Sequence, residues 1–165
     1  MKITRREHLA LLGGTMAAAA LPGVASADGH AQTHIVEMLN VDPDDRKKRQ
    51  IFKPAVLRAN PGDIVKFVAT DRGHNSQVDE KMMPAGGDTW KGRINEEVEV
   101  TLTVDGAYGY YCQPHRSVGM VGLILVGDAA ASLEEAKTVR QRGKAKQVYE
   151  ELFAEADAML AAESS

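Results

Sequence analysis

The chain has 165 residues, 44% of them hydrophobic, with 20 Lys and Arg against 23 Asp and Glu and a net charge of −3. That is one domain's worth with a small appendage, and it excludes the basic stripe that nucleic-acid binding requires. A single cysteine excludes an internal disulfide, leaving a buried thiol, an intermolecular bridge, a reactive group or a metal ligand.

Residues 1–27 read as a targeting segment. Lys2, Arg5 and Arg6 give a positive start, Leu9 to Leu21 is an apolar run, and Ala25-Ser26-Ala27 is a small-x-small cleavage site. The run is shorter than the roughly 20 apolar residues a membrane span needs. Thr4-Arg5-Arg6-Glu7-His8-Leu9 resembles a twin-arginine signal, with His8 where such signals usually carry an aromatic residue. The Sec and twin-arginine routes both stay open, as does an apolar anchor helix. Cleavage after Ala27 leaves 17 basic and 22 acidic residues, a charge of −5 that argues against anionic partners. It also exposes Asp28-Gly29-His30, whose amine, amides and imidazole suit square-planar Cu(II) or Ni(II).

From residue 28 to 128 the pattern is strand-like. His34–Leu39, Ile51–Leu57, Ile64–Ala69, Ala107–Cys112 and Val121–Val126 are short apolar runs, and Glu97 to Val104 alternates with Val98, Val100, Leu102 and Val104 on one face. Asp42-Pro43, Pro61-Gly62-Asp63, Pro84-Ala85-Gly86-Gly87 and Asp105-Gly106 punctuate them. Many short strands with such turns predict an all-β, antiparallel sandwich. Residues 129–165 change character. Ser132-Leu133-Glu134-Glu135 has the form of a capping box, Gly143 is a helix stop, and Val148, Leu152, Ala156 and Met159 recur at helical spacing. Two helices packed on the sandwich are expected.

The chemistry concentrates in Tyr110-Tyr111-Cys112-Gln113-Pro114-His115-Arg116-Ser117-Val118-Gly119-Met120. Thiolate, imidazole and thioether at C-x2-H-x4-M are soft and borderline donors, the set that suits copper in both oxidation states. The spacing fits a loop between strands, with Cys112 ending one, Met120 opening the next and His115 between them. The fourth ligand is expected at His74, in the loop after Ile64–Ala69, with Asn75 tying the two ligand loops together by hydrogen bonds. His34 is taken as structural in an edge strand, Met82 and Met83 as packing near the site, Trp90 as surface or interface with no assigned chemistry, and Arg46–Arg49 as a solvated turn.

Val36-Glu37-Met38-Leu39-Asn40, Ala59-Asn60-Pro61-Gly62-Asp63, Gly73-His74-Asn75, Met83-Pro84 and Ile94-Asn95-Glu96, with the ligand loop and the helical tail, resemble the cupredoxins and, within them, the pseudoazurins. The resemblance implies an eight-stranded cupredoxin-like Greek-key sandwich with two C-terminal α-helices and one type 1 copper ion. It also implies a monomeric periplasmic electron carrier, off the membrane once the signal is cleaved. Its partners would be redox proteins such as copper nitrite reductase, c-type cytochromes or other periplasmic oxidoreductases. Two departures stand out. Tyr111 occupies a position that pseudoazurins often give to lysine, and the family's basic docking ring is thinned to Arg72, Lys91, Arg93 and Arg116. Two other readings compete with the carrier. One is copper storage or delivery on the same ligands; the other is an interaction sandwich without functional metal.

Overall fold

The computed structural model describes residues 31–163. The proposed signal segment and Asp28-Gly29-His30 lie outside the described residues. Among the described residues, eight strands form two four-stranded sheets. One has the order β2-β1-β4-β6, built from Arg49–Lys53, Thr33–Val41, Ile64–Val68 and Val98–Thr101. The other has the order β3-β8-β7-β5, built from Val56–Ala59, Val121–Val126, Gly106–Tyr111 and Gln77–Val78. Between β2 and β7 each connection crosses from one sheet to the other, as in a Greek-key sandwich.

The all-β class and the helical tail stand as expected, but the sheets are mixed rather than antiparallel. β1 runs parallel to β4, and β3 parallel to β8. The expected Ile51–Leu57 strand is divided. Pro54 has no N–H for a ladder, and the chain changes sheets there, with Phe52 on β2 and Val56 on β3. β1 is also an interior strand, flanked by β2 and β4, although β2 reaches only Glu37–Val41. His34 lies beyond that reach, and its Nε2 meets Asp63 Oδ2 at 2.9 Å.

Alternation along the strands directs one face of each sheet inward. Val36, Met38, Phe52, Val65, Phe67, Val100, Leu102, Tyr110 and Ile124 form the core between the sheets. Trp90 belongs there as well, contrary to the surface or interface position expected of it. It is 7% exposed, stacks on Phe67 at 5.4 Å and donates Nε1–H to Ser76 Oγ at 2.9 Å. The indole therefore buries its area without leaving its polar atom unpaired.

β7 and β8 are buried along nearly their whole length, so their outer face needs a cover. The helices α1 (Ala130–Lys137) and α2 (Gly143–Glu163) supply it. Leu133, Ala136, Ala145, Tyr149, Leu152 and Ala156 close a second core over Leu123, Leu125 and Met82. The expected capping box is not used. α1 begins at Ala130, and Ser132 instead accepts the Ala107 N–H at 3.1 Å, pinning the helix to β7. Gly143 opens α2 rather than ending the helix before it.

Candidate metal centre

The β7–β8 hairpin builds the loop. Tyr111 pairs with Val121, and beyond that rung Cys112 N–H donates to Met120 C=O at 3.0 Å, closing the base of the turn. Within it, His115 N–H donates to Cys112 C=O at 3.2 Å and Met120 N–H to His115 C=O at 3.1 Å. A 3-10 turn, Arg116–Val118, ends at Gly119 with φ +97°, a conformation that favours glycine. Gly122 lets the hairpin close on the core, because a Cβ there would lie 2.2 Å from the Tyr110 ring.

His74 comes from the loop after β4. That loop is pinned by Asn95, which sits at φ +65°, donates its N–H to His74 C=O at 2.7 Å and accepts the Gly73 N–H on Oδ1 at 2.6 Å. Asn75 joins the two ligand loops as expected. Its Oδ1 accepts the Gln113 N–H at 2.7 Å, and its Nδ2 donates to Gly92 C=O at 3.0 Å.

The sequence-predicted ligands are brought together at this end. His74 Nδ1 and His115 Nδ1 lie 3.1 Å apart, and Cys112 Sγ lies 3.5 Å from His115 Nδ1 and 3.8 Å from His74 Nδ1. Met120 is fully buried in the same core as Cys112 and is bonded through its backbone to both Cys112 and His115. The orientation of His74 is fixed from behind, with Nε2–H donating to Asn40 Oδ1 at 3.0 Å. That bond leaves the Nδ1 lone pair facing Cys112 and His115. Asn40 is held in turn by Asp71, whose carboxylate accepts its N–H at 2.6 Å. Nothing in the sequence marks Asn40 and Asp71 as site residues, because these contacts join positions more than thirty residues apart.

Burial, with the neighbouring His115 ring, holds the His74 imidazole below its usual pKa against the opposing Asp71 charge, and so in its neutral, metal-binding form. Burial also pushes the Cys112 thiol up, while the backbone N–H groups of Asn75 and His115 pull the other way. The donor set fits a metal ion. A point about 2.0 Å from both nitrogens and the sulfur lies inside their triangle, close to the ~2.0–2.3 Å bonds that imidazole and thiolate make to zinc. Among the described residues this is the one His, Cys and carboxylate cluster with such convergence.

The other singled-out residues fall elsewhere. Met83 packs against the inter-sheet core, but Met82 belongs to the core under the helices. The run Arg46–Arg49 is exposed, with Arg46 and Lys47 in a turn closed by the Asp42 N–H to Lys48 C=O bond at 3.0 Å, but Arg49 already opens β2 and pairs with Val41. Arg72, Lys91 and Arg93 are exposed, whereas Arg116 is engaged with Asp79, Gln141 and the Tyr111 ring.

A sandwich of this topology, with two imidazoles and a thiol converging beside a buried methionine at one end, defines the cupredoxin class of copper proteins. The family model of copper binding proteins, plastocyanin/azurin family, matches residues 39–127. A pseudoazurin of Paracoccus pantotrophus is 44% identical over 131 residues, 79% of this chain and 88% of the relative. One from Methylorubrum extorquens is 39% identical over 73% of this chain and 79% of the relative. The solved structure of a Sinorhizobium pseudoazurin superposes with a TM-score of 0.72 at 49% identity, covering 76% of this chain and 96% of that one. The chain belongs to the pseudoazurin family, blue copper proteins of electron transfer, and its cofactor is copper.

Proposed function

We propose that this protein is a periplasmic one-electron carrier whose copper is held by His74, Cys112 and His115, with Met120 as a weaker thioether contact. The observation that supports the ligand assignment is the convergence of His74 Nδ1, His115 Nδ1 and Cys112 Sγ within 4.8 Å of one another. Copper supplies a one-electron Cu(I)/Cu(II) couple, both of whose states suit such a mixed donor set. The chain's own part is to hold the donors still. Asn40 fixes His74, Asn75 bridges the loops, and the hairpin ladder sets Cys112 against Met120.

His115 is the half-buried ligand of the set, and Pro114 and Val118 beside it are exposed. Its ring edge, framed by these apolar side chains, is the contact offered to partners, in encounters that are small and brief. The reading takes residues 1–27 as the export signal, 28–128 as the copper-binding sandwich and 129–165 as its helical extension. It describes a monomer with no catalytic role, because protein atoms fill every metal position and leave none for a substrate. Copper nitrite reductase, c-type cytochromes and other periplasmic oxidoreductases are its candidate partners.

Storage or delivery of copper on the same ligands is the competing function, and electron self-exchange separates the two. A mixed sample of oxidised and reduced protein should show broadened NMR lines for residues near the ligands, the mark of fast exchange. Slow exchange, with ready loss of copper to a chelator, would favour delivery instead.

A further inference from the structure

The residue after the second loop histidine makes an unusual set of contacts. Arg116 Nη2 donates to Asp79 Oδ2 at 2.5 Å and to Gln141 Oε1 at 2.9 Å, and the guanidinium lies 4.1 Å above the Tyr111 ring. Each partner belongs to a different part of the frame. Asp79 is 8% exposed and follows β5 directly. Tyr111 precedes Cys112. Gln141 lies in the segment between α1 and α2, and its Nε2 donates to the buried Met82 Sδ at 2.9 Å, so it too is anchored.

The same turn rests on α2. A Cβ on Gly119 would meet Val148 Cγ2 at 2.9 Å and Lys144 Cγ at 3.2 Å, and one on Gly143 would meet Ser117 C=O at 3.3 Å. The His115 side of the loop is thus held by packing against α2 and, through one guanidinium, by Asp79, Gln141 and the Tyr111 ring. A planar fork can stack on a ring while its N–H groups bond two acceptors; a single ammonium cannot reproduce that arrangement.

We propose that Arg116 is a positioning residue that locks the His115-bearing turn to Asp79 and to the helical tail through Gln141, so that the ligand loop is already in place before copper binds. The inference rests on the copper reading of the site. It gives the tail a part in the metal centre as well as its cover for the sheet.

The test compares the full chain with Arg116→Ala, Arg116→Lys, Gln141→Leu and Arg140→Ala, the last removing the same charge from a neighbouring exposed position. In metal-free protein, amide hydrogen exchange at Gln113, Val118, Gly119 and Met120 should quicken about 10- to 100-fold in Arg116→Ala, the factor a charge-assisted bond is worth. The β1 and β4 amides should stay unchanged. Copper held against a competing chelator should weaken about 10- to 100-fold. Gln141→Leu should show part of both effects, Arg116→Lys should not restore either, and Arg140→Ala should show neither.

Unchanged loop exchange in Arg116→Ala would overturn the proposal. So would uniform acceleration across the molecule, full rescue by lysine, or equal effects in Arg140→Ala. Failure of the unaltered protein to take up copper would count against the ligand assignment instead, while the exchange of the metal-free loop would still report on Arg116.

Discussion

Pro114 lies between Cys112 and His115, two loop residues proposed as ligands, and it cannot donate a hydrogen bond. It has no N–H, so this position offers no hydrogen bond to the Cys112 sulfur, and a copper-bound thiolate with one donor fewer would keep more electron density and favour Cu(II). Pro114→Ala restores an N–H, and a bond worth about 1 kcal/mol corresponds to a rise of roughly 40 mV in a one-electron potential. A redox titration that finds no rise would remove this account. At the same scale, Cys112, His115 and Met120 are legible in the sequence as candidate ligands because they lie in one short loop whose donor types and spacing have a chemical meaning together. Asn40 is not, since its bond to His74 spans 34 positions and depends on β1 lying beside β4. The burial of Trp90 is hidden from the sequence for a related reason. The residue stands in a polar, aperiodic stretch, and only the folded chain brings Ser76 Oγ to its Nε1–H and Phe67 to its face.

Among the elements, the apolar run Val121–Val126 coincides with β8, whereas the alternation expected from Glu97 to Val104 outlasts its strand, which ends at Thr101 before Leu102 turns into the core. The pairing of the strands is not legible, because the sequence of β1 or β3 carries no mark of its parallel partner. The helices were found from their spacing, but their ends were shifted, since Ser132 spends its hydroxyl on Ala107 of β7 rather than on a cap. α2 is attached by packing and by a buried bond from Tyr149 Oη–H to Tyr110 C=O at 2.9 Å. Leu152→Ala, in the core beneath it, should cost about 2–4 kcal/mol in chemical denaturation, with the visible spectrum of the copper form unchanged. Asp63 joins the start of β1 to the turn before β4. Burial raises its pKa, but the N–H groups of Asn60 and Gln32 and the His34 ring outweigh that and hold the carboxyl below the usual range. A depressed folded pKa means stability present above the unfolded value of about 3.9 and lost as pH falls below it. Asp63→Asn should therefore be less stable than the parent at pH 7, and the gap should narrow on acidification; a gap that stays constant with pH would contradict this.

The whole molecule divides its labour between two cores. The one between the sheets carries Cys112 and Met120 at one end, and the one under the helices fixes β7 and β8, the strands from which the ligand loop springs. A metal site on a hairpin so covered has little freedom to rearrange, which is what rapid one-electron exchange requires. The most direct measurement is an absorption and EPR spectrum of the purified protein titrated with Cu(II), alongside Cys112→Ser. One equivalent should produce an intense blue colour and the narrow copper hyperfine splitting of a thiolate-bound type 1 site, both abolished in the variant. A colourless protein, or a colour that survives the loss of Cys112, would contradict the assignment.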